Sequence, residues 1–415
     1  MRLPHNRRHT GTRARRGVIA FTALIMLSIL AVVTLSASEE VGLEVRAGQN
    51  RNDVRQACIA AQTGIDYCIY LAGFYSDWRT RFGGGTWVSN FAVGRAAVTV
   101  SAADPDDAQV AGDPIGRARF TAQAQCGLAR RTIAAVASPP PGQCLRYAVC
   151  CLSNSKLNLR QGIRIYGDIR TRGNVTADAD VALAGNIYTA AAASVQATLP
   201  DGDTRIVRTE RAVAAPPLDL AWFESAATHL SLPVGGSRKE LRRVTLGPAR
   251  NPFGAANPNG LYYVDAGGSD VYLSESFVEA SLVIVNAPTV TVGPAYYHAT
   301  PDAKYPALLC TGNIDVRIER YLRESAADQD FNSDGDQKDI YVSRIRGVVY
   351  ASGRFTGFLT GTDPGPFYVH GAVVANQIDL FGSSFHLTYD PQLATVAVAG
   401  FEGPGLALVR GSLSQ

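Results

Sequence analysis

Three patterns of apolar and polar positions divide this 415-residue chain. The first is unbroken. Val18 to Ala37 carry no charge, and twenty residues at 1.5 Å each span ~30 Å, the thickness of bilayer hydrocarbon. The second is helical. Val54, Cys58, Ala61, Ile65, Cys68 and Ala72 recur at three- and four-residue steps, while Arg51, Arg55, Gln62 and Asp66 fall elsewhere. No proline interrupts Val18 to Gly73, which predicts one helix of ~55 residues, ~80 Å long. Its first half suits lipid, and its second offers a stripe for packing. Gly42, Gly48 and Gly64 are expected to bend or soften it.

The third pattern has a period of two. Residues 94–101, 116–125 and 130–137 alternate small or apolar with polar positions, with turn-rich segments at 104–107 and 111–114. They predict a small, half-buried antiparallel sheet over residues 74–142. Ser138-Pro-Pro-Pro-Gly142 reads as a linker or stiff turn. The Gly83-Gly84-Gly85 run precedes no Lys-Ser/Thr, so it is a turn and not a phosphate loop.

From Leu157 the pattern repeats every six residues: LNLRQG, IRIYGD, IRTRGN, VTADAD, VALAGN, IYTAAA. Apolar residues lead each unit (Leu157, Ile163, Ile169, Val175, Val181, Ile187), and Gly, Asn or Asp closes several. Short regular strands with such corners predict a β-solenoid, or β-helix. Longer strand–corner–strand units resume at 261–273, 281–292, 307–318, 347–355 and 372–380. The solenoid is placed at 150–415, with insertions at 193–250 and 319–346. A short helix entered through Pro216-Pro217 lies in the first insertion. The predicted fold class is α+β: long helix, small antiparallel sheet, C-terminal β-solenoid.

Composition changes this picture little until it is divided. The chain is 46% hydrophobic, so it buries a core, and its net charge is only +3, which argues against a dedicated nucleic-acid binder. Residues 1–17 hold six arginines and no acid, leaving the remainder at −3. This basic leader before the apolar run, with Glu39 and Glu40 after it, places the N-terminus in the cytoplasm and the bulk outside. The expected location is the inner membrane, single-pass, with the C-terminal bulk periplasmic. The apolar run is longer than a secretory signal's, and Leu35-Ser36-Ala37 is a poor cleavage site.

The basic block, Arg15-Arg16-Gly17-Val18-Ile19-Ala20, and the apolar run leading into a long helix together resemble a type IV prepilin leader. Residues 56–67, QACIAAQTGIDY, resemble the helix of PilX-type minor pilins and of the type II secretion K-type pseudopilin. The resemblance covers residues 13–72. It implies cleavage by a prepilin peptidase after Gly17, with Val18 as the new N-terminus. Major pilins carry Glu five residues into the mature chain; Thr22 stands there here. K-type pseudopilins also lack that Glu, so a minor or tip subunit is implied, with other pilin or pseudopilin subunits as partners. The small sheet would then be a pilin-like domain. The solenoid resembles the β-helical half of some PilX-type proteins, and shares only coil style with bactofilin-like polymers.

Candidate chemistry is sparse. Asp330, Asn332, Asp334, Gly335 and Asp336 match the opening of a calcium loop, with oxygens at positions 1, 3 and 5 and Gly at 6. Tyr341 replaces the bidentate Glu at position 12, and Asp328 or Asp339 is the substitute ligand. Seven cysteines occur; Cys58 and Cys68 lie ~15 Å apart along one helix and cannot bond there. Cys126, Cys144, Cys150 and Cys151 are the disulfide candidates for tying sheet to solenoid. There is no C-x-x-C, G-x-S-x-G or H-E-x-x-H, and no catalytic residue is assigned. Of the six scattered histidines, His370 and His386 flank one coil.

The chain therefore reads as a non-enzymatic, membrane-anchored filament subunit. A second reading is a membrane-anchored carbohydrate-binding or carbohydrate-active β-helix. Asp265, Asp270, Asp315 and Asp379 would then stack on one face, and Tyr262-Tyr263 and Tyr296-Tyr297 would line a sugar face. A third is a bactofilin-like polymerising solenoid.

Overall fold

The computed structural model describes residues 12–190, 192–197, 206–209, 212–359, 366–382 and 384–414. A single helix, α1, runs from Thr12 to Phe74, 63 residues. From Val18 it is bare to residue 52 and docked beyond. The docked face carries Ala57, Ala60, Ala61, Ile65, Cys68 and Ala72, each at most 1% exposed. Val54 and Cys58, expected on the stripe, are only half-buried.

A short helix α2 (Trp78–Phe82) leads into strands β1 (Gly85–Val93), β2 (Ala96–Ala103), β3 (Ala118–Cys126) and β4 (Ala129–Ser138). They form an antiparallel meander. The sequence pattern missed β1, whose alternation is poor because it lies at the sheet edge and is mostly exposed. Small residues on α1 let the backbone approach the sheet, and the sheet supplies the bulk: Val98, Val100, Phe120 and Ile133. Gly64 follows the same logic. A Cβ there would stand 2.8 Å from Val100 Cγ2 and 2.9 Å from Val98 Cγ2. This glycine marks close packing, not a bend.

The remaining chain is a large, mostly strand region of parallel pairings. Three ladders recur. In the hexad segment, Leu157 pairs with Val175, Arg164 with Ala182 and Ile169 with Ile187. Each hexad thus supplies one strand, and three make a rung of all three ladders. All six leading apolar residues are buried at 0–1% exposure, inside one continuous core.

Spatial order differs from chain order. The first ladder stacks Thr228–His229, Leu261–Asp265, Ser281–Val285 and Leu308–Cys310, then the strands Arg344–Leu359 and Phe367–Phe381. Next come Val149–Cys151, Ile169–Arg170, Ile187–Thr189 and Ile206–Arg208. The chain enters mid-stack at Val149, proceeds to one end, then reappears at the other end and returns to the middle. This ladder is covered on both sides. Its outward residues Leu261, Tyr263, Val283, Leu309 and Val374 meet Phe223, Leu145, Leu393 and Phe401. Two-sided burial explains why every residue of Ser281–Val285 is buried and why four apolar residues follow one another there.

Three expected boundaries shift. The 319–346 insertion ends short of Arg344, where the strand Arg344–Leu359 begins. Residues 193–250 are not a plain insertion. Val195–Ala197, Arg238–Arg242 and Thr245–Leu246 all take rungs, and only Leu220–Ala226 forms the expected helix, capped by Asp219 on the Trp222 N–H. The end of the chain also leaves the strand stack. Ala407–Leu408 pair antiparallel with β4, and Ser414 bridges Ala134. The proline run is no free linker either: Gly403 N–H donates to the Pro140 carbonyl at 2.7 Å.

Candidate functional site

The exposed half of α1 is the most unusual surface. Among the described residues, Leu24, Met26, Leu30, Leu35 and Leu43 are each more than 60% exposed. Its polar side chains are internally satisfied. Thr22 Oγ1 donates to the Val18 carbonyl at 2.7 Å, Ser28 to Leu24 at 2.7 Å and Ser36 to Val32 at 2.8 Å. A hydroxyl bonded to its own helix presents no orphan donor to hydrocarbon. The helix is long and apolar enough to cross a membrane by length and composition. Gly17 and Val18 lie within α1; leader residues 1–11 lie outside the described residues.

Beyond the bare half, Asp53 ties α1 to the sheet. Its carboxylate faces Cys126 Sγ at 3.5 Å and the Arg95 guanidinium at 3.7 Å. The β2–β3 loop is held by Arg79, which donates to the carbonyls of Val110 (2.8 Å), Pro114 (3.0 Å) and Gly116 (2.7 Å). That loop sends Ile115 into the outer cluster and accepts the Trp222 indole N–H at Gly112. Sheet and strand stack are joined there by packing and hydrogen bonds.

The cysteines do not make this joint. None of the seven is joined in a disulfide. Cys126 lies in the sheet core, Cys144 and Cys150 in the outer cluster, and Cys151 in the inner core. Adjacent residues on a strand face opposite ways, so Cys150 and Cys151 are separated by their own backbone. Burial pushes the Cys68, Cys144 and Cys151 thiols up to about 12 and Cys310 to about 11.

The acidic turn stands in the 319–346 insertion. Asp330 accepts the Ser333 and Gly335 N–H groups at 2.6 and 2.9 Å, Asp334 that of Asp336 and Asp336 that of Lys338. The Asn332 amide donates to Asp334 and Asp339. Sequence reasoning missed Glu324. This fully buried acid accepts the Phe331 and Asp339 N–H groups and the Tyr341 hydroxyl. Its only signal was an acid just ahead of the turn. Burial and the Glu324 and Asp339 carboxylates push the Tyr341 phenol up. Among the described residues, no three His, Cys, Asp or Glu side chains are grouped to hold a metal ion.

The four expected carboxylates are not gathered in one cleft. Asp265 accepts from Gly267 and Asn286 at a corner of the first ladder. Asp270 accepts the Thr289 N–H, and Asp315 pairs with Arg317 at 2.6 Å. Only Asp315 and Asp379 share a row, with Thr356 between them. Nor do the tyrosine pairs form an open sugar face. Tyr262 and Tyr296 point inward, and Tyr263 and Tyr297 are under 10% exposed. His370 and His386 do lie on paired strands, opposite Thr388 and Tyr368.

No family model matches the chain, and no curated protein matches it. Its structure is similar to the crystal structure of the competence-associated pilin ComZ from Thermus thermophilus at 12% identity. The match covers 88% of this chain and 97% of that chain, with a TM-score of 0.34.

Proposed function

We propose that the chain is a non-enzymatic, membrane-anchored subunit of a type IV pilus or type II secretion-like filament, of the minor pilin or pseudopilin kind. One observation carries the reading. A single helix is bare and apolar over its first half, then continues without a break into the core of a small antiparallel sheet. Such a helix holds a subunit in the inner membrane before assembly and offers the same apolar surface to other subunits afterwards. The sheet and the parallel ladders, which we regard as a β-solenoid, form the periplasmic body. The role is packing and recognition. Prepilin peptidase would cut after Gly17.

Mass spectrometry of the mature chain tests the processing step. An N-terminus at Val18 supports it; an intact Met1 or a start at Ser38 overturns it. Crosslinking to other filament subunits through α1 tests the assembly step separately.

A further inference from the structure

The third ladder carries a feature that the filament role does not use. Its strands are Ser276–Val278, Tyr296–Ala299, the start of Arg344–Leu359, the start of Phe367–Phe381, Phe385–Thr388 and Arg164–Tyr166. Inward positions on the last four strands are apolar: Ile345, Val369, Leu387 and Ile165 are at most 1% exposed. Outward positions form two rows. One row runs Phe277, Tyr297, Arg344, Tyr368, His386, Arg164 over six consecutive rungs. The second, two residues on, runs Arg346, His370, Thr388, Tyr166.

The insertion covers only the first two rungs, where Phe331 and Tyr341 pack on Phe277 and Tyr297. The next four rungs are open. They span ~14 Å at ~4.8 Å per rung and present three arginines, two histidines, two tyrosines and a threonine. Among the described residues, the carboxylate paired with this face is Asp390, 3.9 Å from His370 Nδ1, and no ion pair engages Arg164, Arg344 or Arg346. At the Arg346 end the face runs into a cleft of about 260 Å³, lined also by Thr300, Tyr305 and Gln392.

Ring orientation selects the ligand chemistry. Phe277 and Tyr297 stack at 4.2 Å and 7°, Arg344 lies 4.6 Å over Tyr297, and Tyr368 meets His386 at 4.9 Å. Phe277 and Tyr297 are stacked along the ladder and Tyr368 is tilted by 35° against His386, so these rings turn their faces toward neighbouring rungs. A nucleic-acid base needs an open ring face; this surface offers N–H and O–H donors instead.

We propose that this face binds an extended acidic polysaccharide, with uronate carboxylates on the arginines and sugar hydroxyls on the tyrosine, threonine and histidine groups. The proposal goes beyond the filament role and stands without it. The test uses the full chain in detergent with polygalacturonate as probe, dextran as neutral control and a single-stranded DNA oligonucleotide as competitor. Arg164→Gln combined with Arg346→Gln should weaken polygalacturonate binding at least tenfold with unchanged Tm. Arg119→Gln, on the distant sheet, should leave it unchanged. Equal affinity of the double variant, equal binding of dextran, absence of polygalacturonate binding or preference for the DNA each overturns the proposal.

Discussion

Val149 and Val373 are paired neighbours in one parallel ladder, so the first strand of the stack rests on one of the last. Both are buried in the inner core. The stack is therefore closed by a contact between distant parts of the chain. Truncating either valine to alanine should cost about 1–3 kcal/mol through lost burial and a residual cavity. The double variant should depart from additivity by about 0.5 kcal/mol or more, because the residues touch. Chemical denaturation measures both; strict additivity would show that the seam is not a tight contact.

Gly64 and Gly48 separate propensity from packing. A Cβ at Gly48 would meet nothing within 4 Å, so Gly48→Ala should stabilise α1 by up to about 1 kcal/mol. Gly64→Ala gains the same propensity but drives a Cβ onto Val98 and Val100, and overpacking costs about 1–3 kcal/mol. Opposite signs of the Tm change are expected for the two variants. A stabilised Gly64→Ala would contradict the close approach.

His298 is fully buried, with Nε2 on the Ala280 carbonyl at 2.8 Å and Nδ1 on the Tyr296 hydroxyl at 3.2 Å. Burial lowers its pKa to about 4. The unfolded chain binds this proton more readily, so stability is full above pH 6.5 and is lost as pH falls toward 4. The shift corresponds to about 3 kcal/mol. Denaturation midpoints between the folded and unfolded pKa values should show this slope, and His298→Leu should flatten it.

Thiol labelling should follow burial. Cys58 is half-buried, whereas the other six cysteines are buried, and those with thiols raised to about 11–12 stay protonated in mildly alkaline buffer. Brief iodoacetamide treatment of the native chain should modify Cys58 first, and the rest only after denaturation. Peptide mass mapping reads the order.

The acidic turn is the place for a calcium measurement. Its spacing presents four carboxylates, Asp330, Asp334, Asp336 and Asp339, on one surface loop. Calcium at about 100 times its dissociation constant adds about 2.7 kcal/mol to a fold that alone binds it. These carboxylates accept the turn's own N–H groups and, among the described residues, do not group as a metal site, so Tm is the deciding measurement: a rise with calcium and not with magnesium, removed by Asp334→Asn, shows a calcium site. An unchanged Tm means that the turn is closed by its own N–H groups.

Local patterns were legible in the sequence because they reflect one-sided burial. A charge-free run of twenty residues, the stripe at Ala61, Ile65, Cys68 and Ala72, and β2 to β4 each follow from the period of their own secondary structure. The hexads were legible for the same reason: every sixth residue must face one core. Edge strand β1 was not, since an exposed strand has no buried face to enforce alternation.

What only the tertiary structure decided is which local elements meet. Nothing in the repeat says that Val149 pairs with Val373, since parallel strands of similar composition are interchangeable until loops and outer packing choose a register. The aligned row from Arg344 to Arg164 has the same origin. Arg164-Ile165-Tyr166, Arg344-Ile345-Arg346, Tyr368-Val369-His370 and His386-Leu387-Thr388 each read as an ordinary half-buried triplet. They become a surface only because backbone hydrogen bonds set them on successive rungs. Sequence alone determined the bilayer-length helix, the sheet and the rung-forming strands. Long-range pairing decided the order of the rungs and the face they present.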